Sequence, residues 1–120
     1  MTTRLRPAAL GLFVVATAVV AYLSLAPGGT IPQSNQIDKI LHVTGYAGLV
    51  WLGGMACPSW RLRCVLLAGL LGYGGALELV QDGLPQHQAS PLDMAANVAG
   101  LGVGVLLVAA CDRALRRVAA

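Results

Sequence analysis

The stretch Asp38-Lys39-Ile40-Leu41-His42-Val43-Thr44-Gly45-Tyr46 opens with charge and runs on, through Ala47-Gly48-Leu49-Val50-Trp51-Leu52, into an apolar segment. In helical register Asp38, His42 and Tyr46 fall at i, i+4 and i+8 and so share one face. Two further apolar segments carry polar groups in the same way. Glu78 and Gln81 close one of them at i, i+3 spacing, and Asp93, Asn97 and Gly100 open another at i, i+4, i+7. Ionisable side chains are costly inside or beside membrane-length segments, so this set reads as a functional site.

The composition around that set is that of a membrane protein. Of 120 residues, 57% are hydrophobic and 11% charged, whereas soluble domains run at about 45 to 50% and about 25%. Crossing a hydrocarbon core of about 30 Å takes roughly 20 helical residues. Four segments qualify, at about 8–26, 38–56, 62–80 and 92–110. The stretches between them are rich in Pro, Gly, Gln and Ser, as connecting loops are. The expected fold is therefore all-α: a polytopic membrane protein, one domain over residues 1–120, built as a four-transmembrane-helix bundle.

The first segment has some features of a secretory leader, since Arg4 and Arg6 precede it and Ser24 and Ala26 stand at small-x-small spacing. Its apolar run of about 18 residues exceeds a leader's core, and Pro27 would follow directly at the cut point. It is read as an uncleaved helix. Arg4 and Arg6, Arg61 and Arg63, and Arg113, Arg116 and Arg117 then all fall on one side of a four-span arrangement, with Lys39 alone on the other. Basic residues in short loops stay cytoplasmic, which places both termini inside and the two longer loops outside. The net charge of +3 follows from that bias and does not call for a nucleic-acid partner. Cys57, Cys64 and Cys111 lie at helix ends on the cytoplasmic side, odd in number and without zinc-site spacing, so neither disulfides nor a metal or other cofactor is expected.

Small residues say how the helices approach one another. Ala96, Gly100 and Gly104 repeat at fourth positions in the last segment, Ala68, Gly72, Gly75 and Ala76 line the third, and Gly45 with Gly48 line the second. Tight packing without a wide channel is the expectation.

Asp38-Lys39-Ile40-Leu41-His42 with Tyr46, Glu78-Leu79-Val80-Gln81, and Ser90-Pro91-Leu92-Asp93 with Asn97 and Gly100 together resemble the signature of the VanZ-like family of small bacterial membrane proteins. The likeness spans the second to fourth segments, with DKxxHxxxY, ExxQ and SxxDxxxNxxG in the family's order. It implies the bacterial cytoplasmic membrane and an envelope process, because founding members are associated with resistance to the glycopeptide teicoplanin; it names no reaction. One position departs. The family usually carries Arg three residues before the Ser of its last motif, and this chain has His87 there. A permanent planar cation is thereby replaced by a group that titrates near neutrality, which implies weaker or pH-dependent grip on an anion.

The function expected from these residues is an outer-face intramembrane site that binds or modifies a lipid, lipid-linked or peptidoglycan-related envelope precursor. His42, Glu78 and Asp93 are its candidate catalytic groups, with His42 as acid or base and Asp38 or Asp93 orienting it. Asp38, Lys39, Tyr46, Gln81, His87, Ser90 and Asn97 are candidate ligand-binding groups, with Lys39 and His87 facing an anionic head group. The alternative is an interaction or structural protein whose polar residues only fix helix packing. In that alternative Asp38 and Asp93 are N-caps, His42 is a satisfied core histidine, Tyr46 is a packing residue and Lys39 snorkels to head groups. A proton pathway fares worst, because the inner halves of segments two to four carry no charge. A metal on His42, Glu78 and Asp93 is conceivable from residue type, yet no spacing motif supports one, and no nucleotide loop, GxSxG or HExxH is present.

Overall fold

A computed structural model describes residues 5–26, 35–84 and 90–119. They form four helices, α1 Leu5–Leu25, α2 Asn35–Ala56, α3 Trp60–Asp82 and α4 Pro91–Ala119, with no strand among the described residues. Local chemistry sets several of these limits. Ser59 caps α3, its hydroxyl accepting the Leu62 N–H at 3.4 Å, and Gly83 ends that helix. Ser90 does the same for α4, accepting the Leu92 N–H at 3.2 Å, and Pro91 takes the first helical position, where its missing N–H costs nothing. Asp93 therefore stands inside α4 and Asp38 inside α2, so N-capping accounts for neither.

The fourth helix runs well past the expected limit near 110. Ala110-Cys111-Asp112-Arg113-Ala114-Leu115-Arg116-Arg117 contains no Gly or Pro and is rich in strong helix formers, so nothing stops the helix where its apolar part ends. Among the described residues three helices, α1, α3 and α4, are long and apolar enough to cross a membrane. The second helix falls outside that set because Asp38, Lys39, His42 and several glycines lower its hydropathy. α2 makes the most extensive contacts in the bundle, chiefly with α4 and then with α1. All four helices present apolar side chains outward, among them Leu12, Ile40, Val65, Leu79 and Leu106. Such an exterior suits hydrocarbon rather than water.

Helices α2 and α4 run parallel, with Tyr46, Val50 and Gly54 of one set against Gly100, Gly104 and Val108 of the other in steps of four. The approach is backbone-close. A Cβ at Gly100 would lie 2.6 Å from the Val43 carbonyl oxygen, and one at Gly104 would lie 2.8 Å from the Ala47 carbonyl oxygen and 2.4 Å from Val50 Cβ. On α2 itself, a Cβ at Gly54 would meet Val108 Cγ2 at 2.6 Å. The stripe expected on α4 is thus the packing face. The stripes expected on α2 and α3 are not. Gly48 and Gly72 have open space around them, Gly45 and Gly75 meet only one side-chain atom each at 3.6 Å, and Ala68 and Ala76 are exposed. The tight positions there are Gly53 and Gly54 on α2 and Gly74 on α3, because those turns, not their neighbours, face another helix.

At the end of the bundle where α3 begins, Arg63 donates from Nε to the Gly54 carbonyl at 3.1 Å and pairs through both Nη atoms with the Asp112 carboxylate. That pair ties α2, α3 and α4 together and lies within helices, so charge is not confined to the opposite end as the sequence reading held. A cavity of about 270 Å³ opens beside it, lined by Val50, Leu66, Leu67, Val108 and Arg63. It contains none of the residues expected to form the site.

Candidate functional site

The opposite end, where α2 and α4 begin and α3 finishes, gathers nearly the whole expected set. Parallel packing of α2 on α4 puts their first turns side by side, and two polar pairs cross between them. Lys39 Nζ donates to Asp93 Oδ1 at 2.8 Å, and His42 Nδ1 stands 2.8 Å from Asn97 Oδ1. Because that Asn97 atom can only accept, His42 Nδ1 carries the proton and donates it. The other ring nitrogen, Nε2, faces Asp38 Oδ1 one helical turn back at 3.7 Å.

One turn deeper, Tyr46 is 2% exposed and Asn97 is 2% exposed. A Cβ at Gly74 would lie 2.9 Å from the Tyr46 hydroxyl and 3.2 Å from Asn97 Nδ2, so glycine is what lets α3 close over these two groups. Glu78 follows one turn along the same face of α3. It is 7% exposed, lies within electrostatic reach of Asp93, His42 and Asp38, and is beside the Ser90 backbone. Its Oε1 has no hydrogen-bond partner, and neither has the Tyr46 hydroxyl. Buried polar groups are nearly always paired, and an unpaired one costs about 1 to 3 kcal/mol, more when charged. The site therefore has two layers: an outer one in which Lys39 pairs with Asp93 and His42 with Asn97 beside Asp38, and an inner one in which the Tyr46 hydroxyl and Glu78 Oε1 have no partner.

Gln81 belongs elsewhere. Its Nε2 donates to the Ser24 carbonyl of α1 at 2.7 Å, and Tyr73 on the same helix donates to the Thr17 carbonyl at 2.7 Å. Both fix α1 to α3, which no sequence pattern could show because the acceptors are backbone carbonyls. Ser90 caps α4 at the rim of the site. His87 lies outside the described residues. Replacing Gln81 by Leu is expected to cost about 0.6 to 1.7 kcal/mol, the range of interhelical hydrogen bonds in membranes. A stability unchanged in graded SDS unfolding would show that α1 is not held by this bond.

Asp38, His42 and Asp93 each offer a ligand atom within 4.8 Å of the other two, a grouping the sequence did not assign. The carboxylate weighed from sequence for such a set, Glu78, is not part of it. No protein-family model, curated protein or solved structure matches the chain.

Proposed function

We infer that this chain is a VanZ-like, four-span protein of the bacterial cytoplasmic membrane, with both termini cytoplasmic, whose polar site faces outward and binds the head of a lipid, lipid-linked or peptidoglycan-related envelope precursor. Glu78 carries this reading. A carboxylate 7% exposed with an unpartnered oxygen is costly to keep, and helix packing does not account for it. Interhelical hydrogen bonds return only about 0.6 kcal/mol on average, so polar packing alone is weak compensation. A hydroxyl- or amine-bearing head group would supply the donor that Glu78 and the Tyr46 hydroxyl lack, while Lys39, still 27% exposed at its side chain, meets the anionic part. If the bound molecule is also altered, His42, Glu78 and Asp93 are the groups that would move a proton.

A second reading rests on the Lys39–Asp93 and His42–Asn97 pairs, which join α2 to α4 and fix their register as a purely structural protein would need. The two diverge at Glu78, which neither pair uses. In cells lacking this protein, wild type is expected to restore normal glycopeptide and envelope-stress tolerance, and Glu78→Gln at immunoblot-matched membrane levels is expected not to. Equal restoration by both would leave only the packing role.

A further inference from the structure

We propose that Asp38, His42 and Asp93 form a binding site for one divalent transition-metal ion of the Zn²⁺ class, with Glu78 as its buried neighbouring carboxylate. The argument starts at the imidazole. His42 donates from Nδ1 to Asn97 Oδ1 at 2.8 Å, which turns the other ring nitrogen, Nε2, toward Asp38 Oδ1. A ring nitrogen held by an amide oxygen on its far side is the arrangement that orients a metal-binding histidine.

Nε2 and Asp38 Oδ1 stand 3.7 Å apart, a separation open to an ion between them. It is close to the spacing of about 3.4 Å between two ligands of a tetrahedral ion whose bonds are about 2.1 Å. Asp93 brings the third ligand atom within 4.8 Å of the other two, from a different helix, so the trio spans α2 and α4.

Glu78 is the independent observation. It comes from a third helix, is 7% exposed, and holds an unpartnered Oε1 within electrostatic reach of all three groups. A water on the metal would give that oxygen its donor. Lys39 already places a positive charge on Asp93 Oδ1, so the site accepts cations and the ammonium competes with the ion for part of it. Imidazole among the ligands selects against Mg²⁺ and Ca²⁺, which prefer all-oxygen shells.

This site shares its residues with the proposed head-group pocket but rests on their geometry alone. The test uses purified protein without lipid precursor or cell phenotype, so its failure leaves the proposed function standing. Detergent-purified, tag-free protein with Cys57, Cys64 and Cys111 alkylated would be stripped with chelator and titrated calorimetrically with ZnCl₂, MgCl₂ and CaCl₂. One Zn²⁺ per chain is expected, with no Mg²⁺ or Ca²⁺ binding at the same concentrations. Asp38→Asn, at a half-exposed position where folding is safe, should weaken Zn²⁺ tenfold or more. Asn97→Ala should weaken it about 10- to 100-fold by freeing the His42 ring. Asp82→Asn, an exposed carboxylate off the site, should change nothing. Failure of Zn²⁺ to bind, unchanged affinity in Asp38→Asn, or equal binding of Mg²⁺ would each overturn the assignment.

Discussion

Gly104→Ala is expected to destabilise the bundle by about 3 kcal/mol, whereas Gly102→Ala, two residues away on the same helix, is expected to leave it unchanged or stabilise it by up to about 1 kcal/mol. The two substitutions add the same methyl group to the same kind of helix. At Gly102 that methyl has nothing within 4 Å, and the only effect is the better helix propensity of alanine. At Gly104 it would sit 2.4 Å from Val50 Cβ and 2.8 Å from the Ala47 carbonyl oxygen. Neither atom is the far end of a flexible side chain, so α2 and α4 must separate to admit it. Dispersion contacts along the whole helix pair weaken when that happens, because a gap of about 0.5 to 1 Å already forfeits a quarter to a half of each contact. Gly100→Ala should behave like Gly104→Ala, its methyl meeting the Val43 carbonyl oxygen at 2.6 Å. Being nearer the site, it should also loosen His42 from Asn97 and weaken any ligand held there. Graded SDS or steric-trap unfolding of the variants reads the difference. Equal stabilities for Gly104→Ala and Gly102→Ala would mean that α2 and α4 are not in backbone-close contact.

The contrast between those glycines also marks where sequence reading succeeded and where it stopped. Apolar run length located all four helices, because length and composition are local properties. The C-terminal limit of α4 is not legible for the same reason: the apolar pattern ends near Ala110 but helix-forming residues continue. Polar residues at i, i+4 spacing on α2 and α4 are legible as two stripes, and parallel packing brings them together at His42–Asn97, whereas the partner of Asp93 is Lys39, which lies off the α2 stripe. What the chain could not disclose is which face of each helix turns inward. Glycines at neighbouring positions look alike in sequence, so the pattern points to Gly72 and Gly75 where Gly74 is the tight one. Spacing to Glu78 points Gln81 toward the site, yet it turns to a carbonyl of α1, an acceptor that every residue type possesses. Asp112 escaped notice because it follows an apolar segment among arginines and reads as a solvated tail, whereas it is the partner of Arg63.

Lys39 and Asp93 should prove unequal partners. Lys39→Met is expected to cost about 3 kcal/mol in chelator-treated protein, while Asp93→Asn should cost about 1 kcal/mol or less. Both substitutions break the same 2.8 Å bond, and the difference lies in what each leaves behind. The Asp93 side chain is 12% exposed and short, held in the first turn of α4 with Glu78 and Asp38 as its acidic neighbours. Without the ammonium it keeps its acidic neighbours and has little access to water. Lys39 is 27% exposed on a flexible four-carbon stem, and without Asp93 it can swing its charge toward the interface. The double variant Lys39→Met with Asp93→Asn should then be more stable than Lys39→Met alone, which a double-mutant cycle in graded SDS would register as favourable coupling. Zn²⁺ separates the pair further. Removing the competing ammonium should tighten Zn²⁺ binding in Lys39→Met, and the ion should restore much of the lost stability, because a ligand that binds only the folded state stabilises by mass action. Asp93→Asn removes a ligand and should show no such recovery. Equal costs for the two single variants would place the Asp93 carboxylate in contact with water and weaken the case that this end of the bundle is a closed polar site.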